Sequence, residues 1–302
     1  MIYQLAGIGA GICFALSPFF SINAVKALGP ARFNKWRMAI VCVMLTAMAL
    51  MTGGWHENLF NWWEVIVLSS LIGIYLGDTL LFLGLKRMGP RRNSVIFALN
   101  APMTIFLGWI FLGEQLPFSV LFGTCFITTG VITAVAFGRH KKASHTLEET
   151  QGRLLIGVSI TLGAAFCQAI SLILIRPAME SGIDPIAASA VRVGIAALCL
   201  WLTAVISQLK QQVSATQTVK EPMTMQYFMQ ISISGFLAMG LGMSLLLFGL
   251  RGGDTGVIST LSSISPVVAL PILWIIMKQP PAANAWIGAI LAVSGTSILF
   301  LL

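Results

Sequence analysis

Residues Gly73 to Pro117 read GIYLGDTLLFLGLKRMGPRRNSVIFALNAPMTIFLGWIFLGEQLP, and an altered copy, GLGMSLLLFGLRGGDTGVISTLSSISPVVALPILWIIMKQPP, ends at Pro281. Leu80 to Lys86 (LLFLGLK) aligns with Leu245 to Arg251 (LLLFGLR), Pro102 with Pro266, and Gln115 and Pro117 with Gln279 and Pro281. Both copies are apolar enough to sit in lipid. The repeat implies a duplicated membrane bundle.

The rest of the chain agrees. Its 302 residues are 57% hydrophobic and 9% charged, with mean hydropathy +0.90, whereas a soluble domain carries about 25% charged residues. Apolar runs of about 20 residues, each able to span a bilayer as a helix, recur throughout. We read ten, at 3–25, 34–52, 63–85, 93–112, 117–138, 154–177, 186–208, 227–249, 256–277 and 283–302. The expected fold is an all-α membrane protein of two inverted five-helix repeats, 1–138 and 154–302, joined by a polar linker at 139–153 (RHKKASHTLEETQGR). A second polar loop, Lys210 to Pro222, separates the seventh and eighth helices. No hydrophilic stretch is long enough for a globular catalytic domain.

The formal net charge is +8, from 18 Lys and Arg against 10 Asp and Glu. Fourteen of those cations fall in the odd-numbered loops and only Arg176 and Arg251 in the even ones, while Arg37 and Arg192 lie inside helix starts. A Lys/Arg excess marks cytoplasmic loops. The odd loops are therefore expected in the cytoplasm and both termini outside, and topology accounts for the basic balance without a nucleic-acid partner. Five helices per repeat means that the second copy enters the membrane inverted. Accordingly KRMGPRR in the first copy becomes RGGDTG in the second, and Glu114 is matched by Lys278. Inverted repeats build transporters whose site lies near the midplane.

The five cysteines, Cys13, Cys42, Cys125, Cys167 and Cys199, sit in apolar segments without a CxxC pair, and His56, His140 and His145 sit in loops. Neither a zinc site nor a disulfide framework is indicated. We expect no cofactor, no metal and no enzymatic activity. The N-terminal MIYQLAGIGAG lacks a basic region ahead of its apolar run and reads as a retained first helix.

Ten helices in two repeats, an Arg early in the second helix of each (Arg37, Arg192), and a Pro-centred fourth helix ending in GEQLP resemble the drug/metabolite transporter superfamily, EamA type. The resemblance covers essentially the whole chain. It implies a carrier of the bacterial inner membrane, many relatives being exporters of amino acids or other small metabolites. It also implies a pocket lined by the first, third and fourth helices of each repeat, with the fifth helices peripheral. A family role carries over to Glu114 alone, as a cap on short loop four or a determinant of topology; the second copy departs here with Lys278.

Asp78 lies about two-thirds along the third helix with no Lys or Arg within a turn. A carboxylate at that depth is costly in lipid and should face the bundle interior or a wet cavity. It suits proton coupling, or a counter-ion for a substrate ammonium, or a structural partner for Arg37. Gly73 and Gly77 form a GxxxG step beside it, which lets another helix approach closely. Tyr75 and Phe82 would add an aromatic wall. Its counterpart in the second repeat is Met243, so the symmetry is broken there.

The fourth helix offers Asn93, Phe97, Asn100 and Thr104 on one face, and Pro102 frees a carbonyl near Ala98, tolerable only where another group satisfies it. In the ninth helix, Ser262 and Ser263 either compensate the break at Pro266 or contact a substrate. The first helix carries Phe14, Ser17 and Pro18, and its counterpart carries Cys167, Gln168 and Ser171; for these, pocket lining and helix-to-helix bonding both stand open. Arg37 and Arg192, near helix starts, are placed to snorkel to the interface; the family resemblance also allows contact with a substrate carboxylate or a gating carboxylate.

The resulting expectation is a secondary transporter of small polar metabolites, amino acids first, moving outward by alternating access with or without protons. The partners implied are a small-molecule substrate, protons and the bilayer. Cationic drug efflux is a close variant, and flipping of a lipid-linked intermediate would need a lateral opening to lipid. A passive channel or scaffold fits the Pro-interrupted helices less well.

Overall fold

The computed structural model describes residues 1–56, 58–137, 154–211, 222–265, 267–268, 271 and 283–300. The linker 139–153, most of the loop 210–222, and Pro266, Lys278, Gln279 and Pro281 of the second copy lie outside the described residues.

The first half runs α1 (Ile2–Leu28), α2 (Pro30–Met51), a single turn at Asn58–Asn61, and then α3 (Trp63–Ser69, Ser70–Gly77 and Asp78–Phe97). It continues as α4 (Asn100–Leu107 and Gly108–Leu112) and α5 (Phe118–Phe137). The second half runs α6 (Leu154–Glu180), α7 (Pro185–Gln211), α8 (Met225–Gly235, Phe236–Gly242 and Met243–Gly249), α9 (Thr255–Ser262) and α10 (Ala283–Phe300). Among the described residues, six helices are long and apolar enough to cross a membrane, and three more apolar helices are shorter. The chain is a multi-pass membrane protein with two five-helix repeats, as expected.

The inversion is visible where counterpart helices pair. Trp36, near the start of α2, meets Trp201, near the end of α7, edge to face at 5.4 Å. At the other end Gly54, just past α2, lies against Asp184, just before α7. The two helices are antiparallel. So are α5 and α10, packed so closely that a Cβ on Gly130 would stand 2.6 Å from the Ala292 backbone nitrogen, and one on Gly295 2.6 Å from the Gly123 carbonyl. Small residues let membrane helices approach to van der Waals contact, the main attraction available to them in lipid. The remaining helices cross between halves: α1 packs on α8 and α9, α6 packs on α3 and α4, and α4 meets α9.

Three local features depart from the expected spans. Residues 86–92, expected as a loop, are wound helically within Asp78–Phe97. The chain nevertheless doubles back there, because a Cβ on Gly84 would stand 2.6 Å from Asn93 Oδ1, whereas a straight helix would carry nine residues about 13 Å along its axis. Second, Ser70–Gly77 in α3 and Phe236–Gly242 in α8 are π-helical, at the same register of the two repeats. Such turns interrupt the regular ladder and favour functional sites. Third, α4 restarts at Asn100 after a turn at Ala98 and Leu99, so Pro102 falls in its first turn, where a missing N–H would be unpaired in any case. The Ala98 carbonyl accepts from the Ala101 N–H at 3.3 Å and is not left free. Helix α9 breaks at nearly the same register, at Ser263 and Ile264.

Candidate functional site

Where the two halves cross, the apolar interior is interrupted by a layer of polar side chains. Helices α2 and α7 each begin with a proline and carry an arginine at the eighth residue, Arg37 and Arg192. Proline suits the first helical position, so α2 starts earlier than the hydropathy suggested. Seven residues put each guanidinium stem about 10 Å inside the helix start. Snorkelling is thereby corrected: Arg37 is 8% exposed and Arg192 is 0% exposed.

Arg37 is held on several sides. Its Nη2 lies 3.5 Å from Asp78 Oδ2 and donates to Asn34 Oδ1 at 3.0 Å. The rings of Phe33 and Phe82 lie 5.7 and 5.6 Å from the guanidinium carbon, within cation–π range. Its aliphatic stem crosses Gly235 of α8, where a Cβ would come within 3.0 Å of Cγ. Asp78 is thus paired inside the bundle. Phe82 touches the cation rather than an open wall, while Tyr75 packs against the main apolar core.

The second repeat reproduces this arrangement with one substitution. Arg192 Nη2 donates to Ser171 Oγ at 2.7 Å, and Nη1 meets the Met243 sulfur at 3.5 Å. Met243 occupies the position of Asp78, so no carboxylate stands opposite the cation. Among the described residues, none lies within ion-pairing distance of Arg192, and its Nε, like that of Arg37, is buried without a partner.

Serines knit the same layer across the halves in symmetric fashion. Ser17 of α1 donates to the Ser234 carbonyl of α8 at 2.9 Å, and Ser171 of α6 donates to the Ser69 carbonyl of α3 at 2.8 Å. Both acceptors lie beside the π-helical turns. Phe14 sits against Gly242, where a Cβ would fall 2.7 Å from its ring, and Cys167 lies correspondingly against Gly77. Gln168 is half-buried. Ser17 and Phe14 therefore join helices.

The fourth and ninth helices meet through a second polar group. Ser259 Oγ donates to Asn100 Oδ1 at 3.1 Å, with Thr104 Oγ1 at 3.3 Å. Asn100 Nδ2 donates in turn to the Phe97 carbonyl at 2.7 Å. Asn93 faces α6 instead, its Oδ1 2.7 Å from Thr161 Oγ1. Ser262 and Ser263 both donate back to the Ser259 carbonyl, at 2.8 and 2.9 Å. The structure thus uses them to satisfy the helix break.

Glu114 caps the other half of the molecule. Gly113, at φ 65°, turns the chain after α4 in the left-handed region that favours glycine. The Glu114 carboxylate then accepts from the Thr255 and Gly256 N–H groups at 2.6 and 3.2 Å, occupying the positive start of α9. Arg176 stands 3.8 Å from it, pairs with Glu180 at 2.7 Å, and donates to the Gly253 carbonyl. This cluster ties α4, α6 and α9 together on one face. Partial burial, with Glu114 and Glu180 nearby and Arg176 opposing them, raises the Asp254 carboxyl above its ordinary 3.8.

The sequence did not point to Ser69, Ser234 or Thr161, and it showed Arg176 only as a loop charge. Ser69 and Ser234 share a register in the repeats, and extending the alignment N-terminally from Asp78 and Met243 would have matched them.

The EamA-like transporter family model matches residues 1–136 and again 155–301, and the chain belongs to that family of membrane transporters. It is also similar to an uncharacterized transporter of Synechocystis sp., 26% identical over 127 residues. That match spans 41% of this chain and 38% of the relative. A solved crystal structure superposes with a TM-score of 0.78 over 99% of this chain and 96% of the other, at 17% identity, a likeness of fold.

Proposed function

We propose that the chain is a secondary transporter that moves small polar metabolites, amino acids first, outward across the bacterial inner membrane by alternating access. The observation that carries this reading is the buried Arg37–Asp78 and Arg192 layer, set between paired π-helical turns and paired helix breaks in the crossing helices. Charges are kept inside a membrane bundle at high cost, and inverted-repeat carriers place their sites at such interrupted helices near the midplane. Asp78 serves as the proton-coupling carboxylate, released from Arg37 during the cycle. Asn100, Phe97, Tyr75 and the half-buried Gln168 complete the lining once the halves part, with Ser262 and Ser263 beside the break in α9. The odd loops face the cytoplasm.

The test is uptake of a labelled amino-acid panel into proteoliposomes, with and without an imposed pH gradient, for wild type and Asp78→Asn. Gradient-driven uptake that the variant loses while it retains substrate exchange is the expected result. Absence of uptake for every amino acid would refute the cargo.

One observation favours a second reading, flipping of a lipid-linked intermediate. An apolar groove of about 440 Å³ lies between α3 and α6, lined by Leu80, Leu155, Ile156, Ser159, Ile160 and Gly163. Such a groove offers a path for an acyl or prenyl chain beside a polar interior. A lipid-linked sugar that stabilises the purified protein against heat when soluble solutes do not would favour it.

A further inference from the structure

We propose that Arg192 is the anion-binding half of the transport site, taking the carboxylate or an equivalent anionic group of the cargo. The inference rests on the transport reading above and adds the chemical class that the cargo must carry.

The starting point is an asymmetry. Two arginines occupy equivalent positions at the eighth residue of α2 and α7. One faces a carboxylate, Asp78, at 3.5 Å; the other faces a thioether, Met243, at the same 3.5 Å. A thioether is only a weak acceptor. The Nε of each arginine is buried without a partner, but Arg192 is wholly buried and no carboxylate among the described residues reaches it, whereas Asp78 reaches Arg37. An isolated cation in such a place costs far more than one that is paired and hydrogen-bonded. A guanidinium presents its donors in a planar fork that matches a carboxylate.

The surroundings suit a temporary guest. Met243 is flexible and can swing aside without leaving a rigid void. Ser171 is already oriented on Nη2, and the π-helical turns of α3 and α8 flank the position. The anion takes the place that Asp78 holds in the first repeat, and the cargo completes the symmetry that the sequence breaks.

The test uses the purified full-length chain in detergent and its melting temperature with three probes: leucine, its decarboxylated amine 3-methylbutylamine, and its deaminated acid 4-methylpentanoate. Leucine and the acid should stabilise the wild type and the amine should not. Arg192→Gln should weaken the apparent affinity for both by on the order of tenfold or more. Met243→Asp supplies an internal carboxylate, so it should abolish the response to the acid while itself melting no lower than wild type. Met243→Leu, which keeps the packing, should retain the response. Stabilisation by the acid but not by leucine would keep the anion site and overturn the amino-acid cargo. The proposal is overturned if the amine stabilises as well as leucine does, if the acid still stabilises Arg192→Gln or Met243→Asp, or if no carboxylate probe stabilises the wild type.

Discussion

The Met243 sulfur meets Arg192 at 3.5 Å in the place where the first repeat sets Asp78 against Arg37. Two halves of one architecture therefore treat the same buried cation differently. The first repeat neutralises it within the chain, and the second, among the described residues, leaves it without a counter-ion. That difference distinguishes this bundle from a symmetric scaffold.

The Arg37–Asp78 pair should show strong coupling. Removing one partner strands the other charge, which costs about 3–5 kcal/mol for a buried pair. Arg37→Gln and Asp78→Asn should each lower the melting temperature markedly, and the double variant should melt above the more damaging single one. Thermal unfolding of all four proteins in one detergent, analysed as a double-mutant cycle, measures this. Additive losses would mean that the pair is not energetically linked.

Glu114 should contribute to stability through α9. Its carboxylate accepts two N–H groups at the helix start, and loss of such a cap costs on the order of 1 kcal/mol. Glu114→Ala should therefore lower the melting temperature, with Glu114→Gln intermediate because the amide oxygen still accepts without the charge. Equal melting of all three would show that Arg176 and its neighbours hold the face unaided.

Asp254 sets a pH dependence on that same face. Its folded pKa is raised above 3.8, first by partial burial and next by Glu114. The folded state thus binds the proton more tightly than the unfolded state, and the contribution is present at low pH and fades as pH rises through the raised pKa. From pH 4 upward, the melting temperature of wild type minus that of Asp254→Asn should fall. A flat difference would contradict the assignment.

The α5–α10 pair should be intolerant of bulk. A side chain at Gly130 or Gly295 would collide with backbone of the facing helix rather than with a movable side chain. Overpacking costs about 1–3 kcal/mol where neighbours can shift, and here they are main-chain atoms. Gly130→Leu should reduce the yield of folded protein in a detergent-resistance assay, and Gly163→Ala, whose Cβ would meet only the Leu80 side chain at an ordinary 3.5 Å, should affect it far less.

Much of this was legible in the sequence. The repeat, the helix count and the inward placement of Asp78 follow from hydropathy and from the cost of a charge in lipid. Burial of Arg37 was not legible, because the polar start of α2, PARFNK, hides a helix that begins at Pro30. The tie between Ser17 and Ser234 joins residues 217 positions apart, and no periodicity in one helix reports on a partner so distant. The π-helical turns leave no pattern beyond their glycines. The resemblance offers Glu114 as a cap on short loop four or a determinant of topology, whereas its carboxylate accepts from the start of a helix in the opposite repeat.

Alternating access is the central claim, and the contact between Glu114 and the start of α9 offers its most direct measurement. Cysteines placed at Glu114 and Thr255, in a chain lacking its five native cysteines, can be joined by a short bifunctional thiol reagent in proteoliposomes. Transport of the solute identified by the uptake panel is then measured before and after joining. Locking α4 to α9 should stop net flux while leaving cargo binding from the opposite face intact. Undiminished flux through the joined protein would mean that this face never opens, and the rocking of one half against the other would have to be abandoned.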